Sequence, residues 1–154
     1  MADLDVGAAA PEFELAGAEG PMRLADFKGK ALVLYFYPKD DTTGCTREAQ
    51  DFTALAGDFA NAGATVVGVS KDSLASHAKF TAKHGLAIPL GSDPEGVVIA
   101  RYGSWVEKTL YGRKYMGIDR STFLIDKAGN LVRTWRKVKT PGHAAEVLKA
   151  AQSL

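Results

Sequence analysis

The chain has 154 residues, 46% hydrophobic and 24% charged, with 19 Lys and Arg against 18 Asp and Glu for a net charge of +1. Such a composition fits one globular domain, 1–154, with a sizeable core, and it excludes disorder as the main state. The balanced charge leaves no overall footprint for nucleic acid or an anionic membrane surface, and no apolar run approaches the ~18–20 residues that cross a bilayer.

The opening stretch, MADLDVGAAAPEFEL, is acidic and lacks the basic and apolar regions of a secretory signal. EFELAG (12–17) and MRLADF (22–27) flank a Gly20–Pro21 turn and predict a hairpin-like extension. ALVLYFY (31–37) is a continuous apolar run, the pattern of a strand buried on both faces. Pro38 stops it, because proline has no N–H for the ladder. From Thr43 to Ala60 the period becomes helical, with Ala49, Phe52, Ala56 and Phe59 on one face. ATVVGVS (64–70) predicts a strand, and SLASHAKFTAKHG (73–85) a helix capped by Ser73 and stopped by Gly85.

IPLGSD (88–93) reads as a short strand or extended loop, and PEGVVIARYG (94–103) as a short helix with Pro94 in its first turn. The segment after it reads as irregular, and Tyr102, Trp105, Tyr111 and Tyr115, ahead of Arg120, read as core or pocket wall. STFLID (121–126) and LVRTWRK (131–137) predict two strands joined by the turn KAGN. The basic run RTWRKVK (133–139) is read as an edge strand with a solvated face. Thr140 and Pro141 open a last helix with Ala144, Val147, Leu148 and Ala151 as its apolar stripe. The order is β-α-β-α, an irregular piece, then β-β-α. It predicts an α/β fold of the thioredoxin-like kind, a central mixed sheet with helices on both faces behind an N-terminal hairpin extension.

The one cysteine, Cys45, sits in YPKDDTTGCTREAQDF (37–52), where a strand gives way to a helix. A helix's first turn offers unpaired N–H groups and the positive end of its dipole, and both favour a thiolate, the nucleophilic form. Thr42 places a hydroxyl three residues before the sulfur, and Gly44 lets the backbone approach a ligand closely. These features describe a pocket for a small polar molecule with an electrophilic atom. A single cysteine forms no internal disulfide, which favours a reducing compartment, most simply the cytosol.

Pro38, Thr42 and Cys45 stand in register with the PxxxTxxC motif, and the fuller stretch resembles the peroxiredoxins of the bacterioferritin comigratory protein (PrxQ) subgroup. The resemblance extends over nearly the whole chain, through APEFEL, LADFKGK, VVGVSKDS, PLGSDPEG and GIDRSTFLID. It implies a thiol peroxidase acting on hydrogen peroxide and organic hydroperoxides, with no cofactor or metal. Cys45 is then the peroxidatic nucleophile that passes through a sulfenic acid. Thr42 hydrogen-bonds the peroxide, the amides near Gly44 and Cys45 help hold it, and Pro38 shields the sulfenate. Arg120, in GIDRS, stabilises the thiolate and orients the peroxide, and Glu48 holds an arginine in place.

The chain departs from the subgroup in one respect. Many members carry a resolving cysteine five residues after the first, where this chain has Gln50, and others carry it later, where VVIARYG has none. An external thiol must then resolve the sulfenic acid: thioredoxin, or glutaredoxin with glutathione. The resemblance leans towards a monomer or weak dimer. Rival readings are a redox sensor or thiol-relay module oxidised once, and a chaperone-like scaffold indifferent to Cys45. A thioredoxin-type reductase lacks its CxxC here, and His77, His84 and His143 lack metal-ligand spacing.

Overall fold

The computed structural model describes residues 4–154; residues 1–3, the start of the acidic opening stretch, lie outside the described residues. Strands β1 (Glu14–Leu15) and β2 (Met22–Arg23) pair antiparallel as the N-terminal extension. β3 (Ala31–Phe36) is the centre of a five-stranded sheet. On one side β4 (Ala64–Ser70) and then β5 (Leu90–Ser92) run parallel to it. Two antiparallel pairings on the other side add β8 (Ser121–Ile125) and β9 (Leu131–Trp135), which is the edge expected for the basic run.

The alternation of β3 divides the core into two layers. Ala31, Val33, Tyr35 and Tyr37 meet α1 (Thr43–Ala54), α2 (Ala56–Asn61), α3 (Leu74–His84) and α5 (His143–Gln152) through Phe52, Phe59, Phe80 and Val147. Leu32, Leu34 and Phe36 meet the N-terminal extension and α4 (Val97–Arg101) through Phe13, Leu15, Val98 and Ile99. A strand packed on both faces has no polar side, which is why its sequence is an unbroken apolar run. No helix among the described residues is long and apolar enough to cross a membrane.

Several boundaries differ from the sequence reading. The last four residues of MRLADF form a 3-10 turn, Leu24–Phe27, because Asp26 accepts the Arg23 amide at 2.8 Å and curls the chain. The helix from Thr43 is broken at Leu55, whose backbone (φ −101, ψ 4) leaves the α region. Pro94 lies outside α4: Gly96 donates back to the Asp93 carbonyl, and Asp93 Oδ2 accepts the Ile99 amide at 2.8 Å. Pro141 likewise precedes α5, which starts after Gly142 in the left-handed region (φ 74).

The segment read as irregular is a two-stranded hairpin, β6 (Trp105–Leu110) and β7 (Arg113–Ile118), turning at Tyr111 and Gly112 with positive φ at both. Tyr102 is core, but Tyr111 is 96% exposed and Tyr115 47% exposed, so neither walls a pocket. Only its base reaches the core, through Ile118 and Trp105; the rest buries too little on either face to impose an apolar alternation.

Tyr35 is fully buried and stacks on Phe52 with ring centroids 4.7 Å apart, yet its hydroxyl has no hydrogen-bond partner. A Cβ on Gly68, its register partner in β4, would lie 2.7 Å from that ring's Cζ and hydroxyl oxygen. Tyr35→Phe discards a desolvated, unpaired hydroxyl and should raise stability by up to about 1 kcal/mol. Gly68→Ala overpacks the same spot and should cost about 1–3 kcal/mol, both read from urea unfolding midpoints.

Candidate active site

Cys45 is the third residue of α1 and is 1% exposed. The amides of Gly44 and Cys45 have no carbonyl partner, whereas the next, Thr46, already bonds to Thr42 at 2.8 Å. The sulfur therefore lies beside two free donors at the positive end of a helix. Thr42 occupies the N-cap position, with extended backbone (φ −91, ψ 158), but its side chain makes no capping bond. Its hydroxyl donates instead to the Lys39 carbonyl at 2.9 Å. Its one proton is thus committed, so towards a ligand the Thr42 oxygen acts as an acceptor.

Arg120 reaches this helix from the far side of the sheet's centre. Ser121 pairs with Phe36, the last residue of β3, so the residue before it emerges level with the loop that leads to Cys45. Its Nη2 lies 3.3 Å from Cys45 Sγ, and its Nη1 donates to Glu48 Oε1 at 2.7 Å. Cys45 and Glu48 are three apart on α1 and so share a face. A Cβ on Gly44 would lie 3.2 Å from Arg120 Nη2, so glycine there keeps the approach open. The structure thus brings Cys45, Glu48, Gly44 and Arg120 together. Pro38 is exposed at the start of the loop, and Gln50 is exposed on another face of α1.

Burial pushes the Glu48 carboxyl from its ordinary 4.5 up to about 7, against the opposing pull of Arg120, and its Oε2 has no partner. Burial disfavours the Arg120 charge as well, but Glu48 and Cys45 outweigh it and raise the guanidinium's pKa. Beneath this group, His143 bonds to the Thr122 hydroxyl at 2.8 Å, and burial pushes its pKa from 6.5 down to about 4. The sequence reading missed the hold on the 38–42 loop. Asp40 and Asp41 both bond to α3, through Ser76, His77, Lys83 and His84. The signal was there in the two histidines, which are seven apart and so fall on one helical face.

The AhpC/TSA family model matches residues 6–134. A peroxiredoxin Bcp of Bacillus subtilis is 47% identical over 152 residues, 98% of this chain and 97% of that protein. A putative peroxiredoxin bcp of Coxiella burnetii is 48% identical over 146 residues, 94% and 97% of the two chains. Among solved structures, a Xanthomonas campestris bacterioferritin comigratory protein, studied for alkyl peroxide reduction, superposes with a TM-score of 0.90. It is 43% identical and the match covers 97% of this chain and 98% of that one. Mycobacterium tuberculosis BcpB gives a TM-score of 0.85 at 34% identity, covering 98% of both chains. The architecture is thioredoxin-like, as these neighbours are.

The two displaced pKa values oppose each other. Folded protein keeps a Glu48 proton that the unfolded chain releases, so that contribution is full below pH 4.5 and is lost as pH rises through about 7. Unfolded chain takes a His143 proton that the folded state refuses, so that contribution is full above pH 6.5 and is lost as pH falls through about 4. Between 4.5 and 6.5 the two cancel. Glu48→Gln removes the first alone, and unfolding free energy should then rise with pH by about 1.4 kcal/mol per unit more steeply than in the unsubstituted chain. Urea unfolding of both across that window measures the difference in slope.

Proposed function

The chain belongs to the AhpC/TSA family and is a thiol-dependent peroxidase of the Bcp kind, and we propose that Cys45, Thr42 and Arg120 carry its chemistry. The observation that supports this most directly is the guanidinium of Arg120 at 3.3 Å from the only thiol of the chain. A hydroperoxide R–O–O–H enters beside the exposed N-terminus of α1 and donates a hydrogen bond to the Thr42 oxygen, the acceptor left free by the bond to Lys39. The Cys45 thiolate attacks the terminal, hydrogen-bearing oxygen, which keeps its hydrogen and becomes the sulfenic hydroxyl. The S–O bond forms as the O–O bond breaks, and the electron pair leaves on RO⁻, which takes up a proton as ROH. Arg120 and the free amides of Gly44 and Cys45 donate towards the charge that develops on the leaving oxygen. Sulfur is oxidised to the sulfenic acid and the peroxide is reduced.

The chain has one cysteine, so the return half is a one-cysteine cycle. An external thiol displaces water from the sulfenic acid to give a mixed disulfide, and a second thiol releases Cys45 and leaves the reductant as a disulfide. Thioredoxin, or glutaredoxin with glutathione, fits that role, in a cytosolic setting. Pro38, at the outer lip of the loop, screens the sulfenate, Gly44 leaves room for the guanidinium, and Glu48 anchors it. The enzyme works as a monomer or weak dimer.

Peroxide consumption tests the reading with thioredoxin system, glutaredoxin plus glutathione, and dithiothreitol in parallel. Many turnovers per chain are expected, and Cys45→Ser should abolish them. One stoichiometric oxidation without turnover in any system would support the sensor reading instead. Excess peroxide without reductant should add two oxygens to the Cys45 peptide in a mass spectrum, the sulfinic acid, because no internal thiol intercepts the sulfenic acid. Persistence at one added oxygen would contradict that.

A further inference from the structure

Two successive aspartates tie the loop that carries Pro38 and Thr42 to α3. Asp41, in the left-handed region at φ 59, bonds at the surface to Lys83 Nζ at 2.7 Å and to His84 Nε2 at 2.8 Å. Asp40 is buried and takes three hydrogen bonds on its carboxylate. The Tyr37 hydroxyl donates to Oδ1 at 2.6 Å, while Ser76 Oγ and His77 Nδ1 both lie 2.8 Å from Oδ2. The Asp40 amide donates to Asp72 Oδ2 at 2.8 Å, and Asp72 is itself held by Ser70 and Ser92.

His77 faces an acceptor on each side. Nδ1 meets the Asp40 carboxylate, and Nε2 meets the Gly91 carbonyl of β5 at 3.1 Å. The ring thus bridges the 38–42 loop and β5, with the Tyr37 hydroxyl also 3.5 Å from Nδ1. Its contact with Asp40 is buried, the two side chains being 5% and 4% exposed. Burial works against the Asp40 charge, but the bonds from His77, Tyr37 and Ser76 outweigh it and hold that carboxyl below its ordinary range. A buried polar network whose members are all hydrogen-bonded is rigid and fixes one conformation.

The conformation fixed here is the one that aims Thr42. The Thr42 hydroxyl is oriented by the Lys39 carbonyl, and Lys39 is bonded directly to Asp40 in the chain. We propose that His77 is a positioning residue for peroxide reduction: through Asp40 it sets the 38–42 loop so that the Thr42 oxygen faces the incoming hydroperoxide. This inference rests on the peroxidase reading of Cys45.

The test separates peroxide chemistry from general thiol reactivity. Stopped-flow oxidation of Cys45 by hydrogen peroxide is measured beside its alkylation by iodoacetamide, in the unsubstituted chain, His77→Leu, His77→Asn and Tyr37→Phe. His77→Leu should slow oxidation about tenfold or more, since misaimed groups are costly to rate, and leave alkylation within about threefold. His77→Asn, which can still donate to Asp40, should recover part of the loss. Tyr37→Phe keeps the ring's packing and removes one of three donors, so it should slow oxidation about two- to fivefold, also without changing alkylation. A folded His77→Leu with full oxidation rate overturns the proposal, as does an equal loss in both reactions. Should His77→Leu not fold, Tyr37→Phe decides, and an unchanged oxidation rate there overturns it. Failure of the unsubstituted chain to react with peroxide faster than a free thiol would instead count against the peroxidase reading itself.

Discussion

One guanidinium shared between a thiol and a carboxyl is the interaction on which the site depends. Arg120 spends one nitrogen on Cys45 and the other on Glu48, with its side chain 17% exposed. Both acceptors come from a single helical face, so the guanidinium bridges them with no movement of either element. The arginine gets there because β3 and β8 are neighbours with a fixed register, Ser121 opposite Phe36. A slip of that register by one residue would carry Arg120 to the other face of the sheet. The buried sheet centre thus sets the distance between residues 75 apart in the chain.

The carboxyl in this arrangement is better described as an orienting group than as a strong counter-ion. Its Oε2 is buried without a partner and its pKa stands near 7, so near neutrality it carries only part of a charge. A fully ionised Glu48 would compete with the sulfur for the positive field of Arg120. A carboxyl that is partly neutral holds the guanidinium in place and leaves more of that field for Cys45.

Much of the fold is legible because burial on both faces writes itself into sequence. β3, β4 and the apolar faces of α1 and α5 follow directly from their patterns. The hairpin Trp105–Ile118 is not legible in that way, since it contributes little to the core, and only the Gly112 turn marks it. Within the site, Thr42, Gly44 and Cys45 fall within four residues of one another and could be read as a loop entering a helix. Arg120 could be placed only by resemblance, because its approach is a matter of sheet register and not of spacing. Asp40 was opaque for another reason. An Asp-Asp pair in a loop has the look of a solvated turn, and the burial of Asp40 appears only when α3 is packed over it.

The burial of Cys45 makes the two halves of the cycle unequal. A peroxide is small and can reach a sulfur that is 1% exposed through the open N-terminal end of α1. The oxygen it transfers is delivered on that same open side, beside Thr42 and the free amides. A thiol that resolves the sulfenic acid must attack sulfur in line with the S–O bond, from the side opposite the leaving oxygen. That side is occupied by the core against which Cys45 packs, together with Tyr35, Ala49 and Phe52. The return half therefore requires the first turn of α1 to shift and expose the sulfur's inner side. Arg120, and the bonds that tie the 38–42 loop to α3, oppose that shift. A second peroxide faces no such barrier, because the sulfenate sulfur is then itself the nucleophile and attacks the peroxide oxygen on the side that is already open, breaking the O–O bond. The contacts that assemble the site for the first oxidation thus also favour a second one over release.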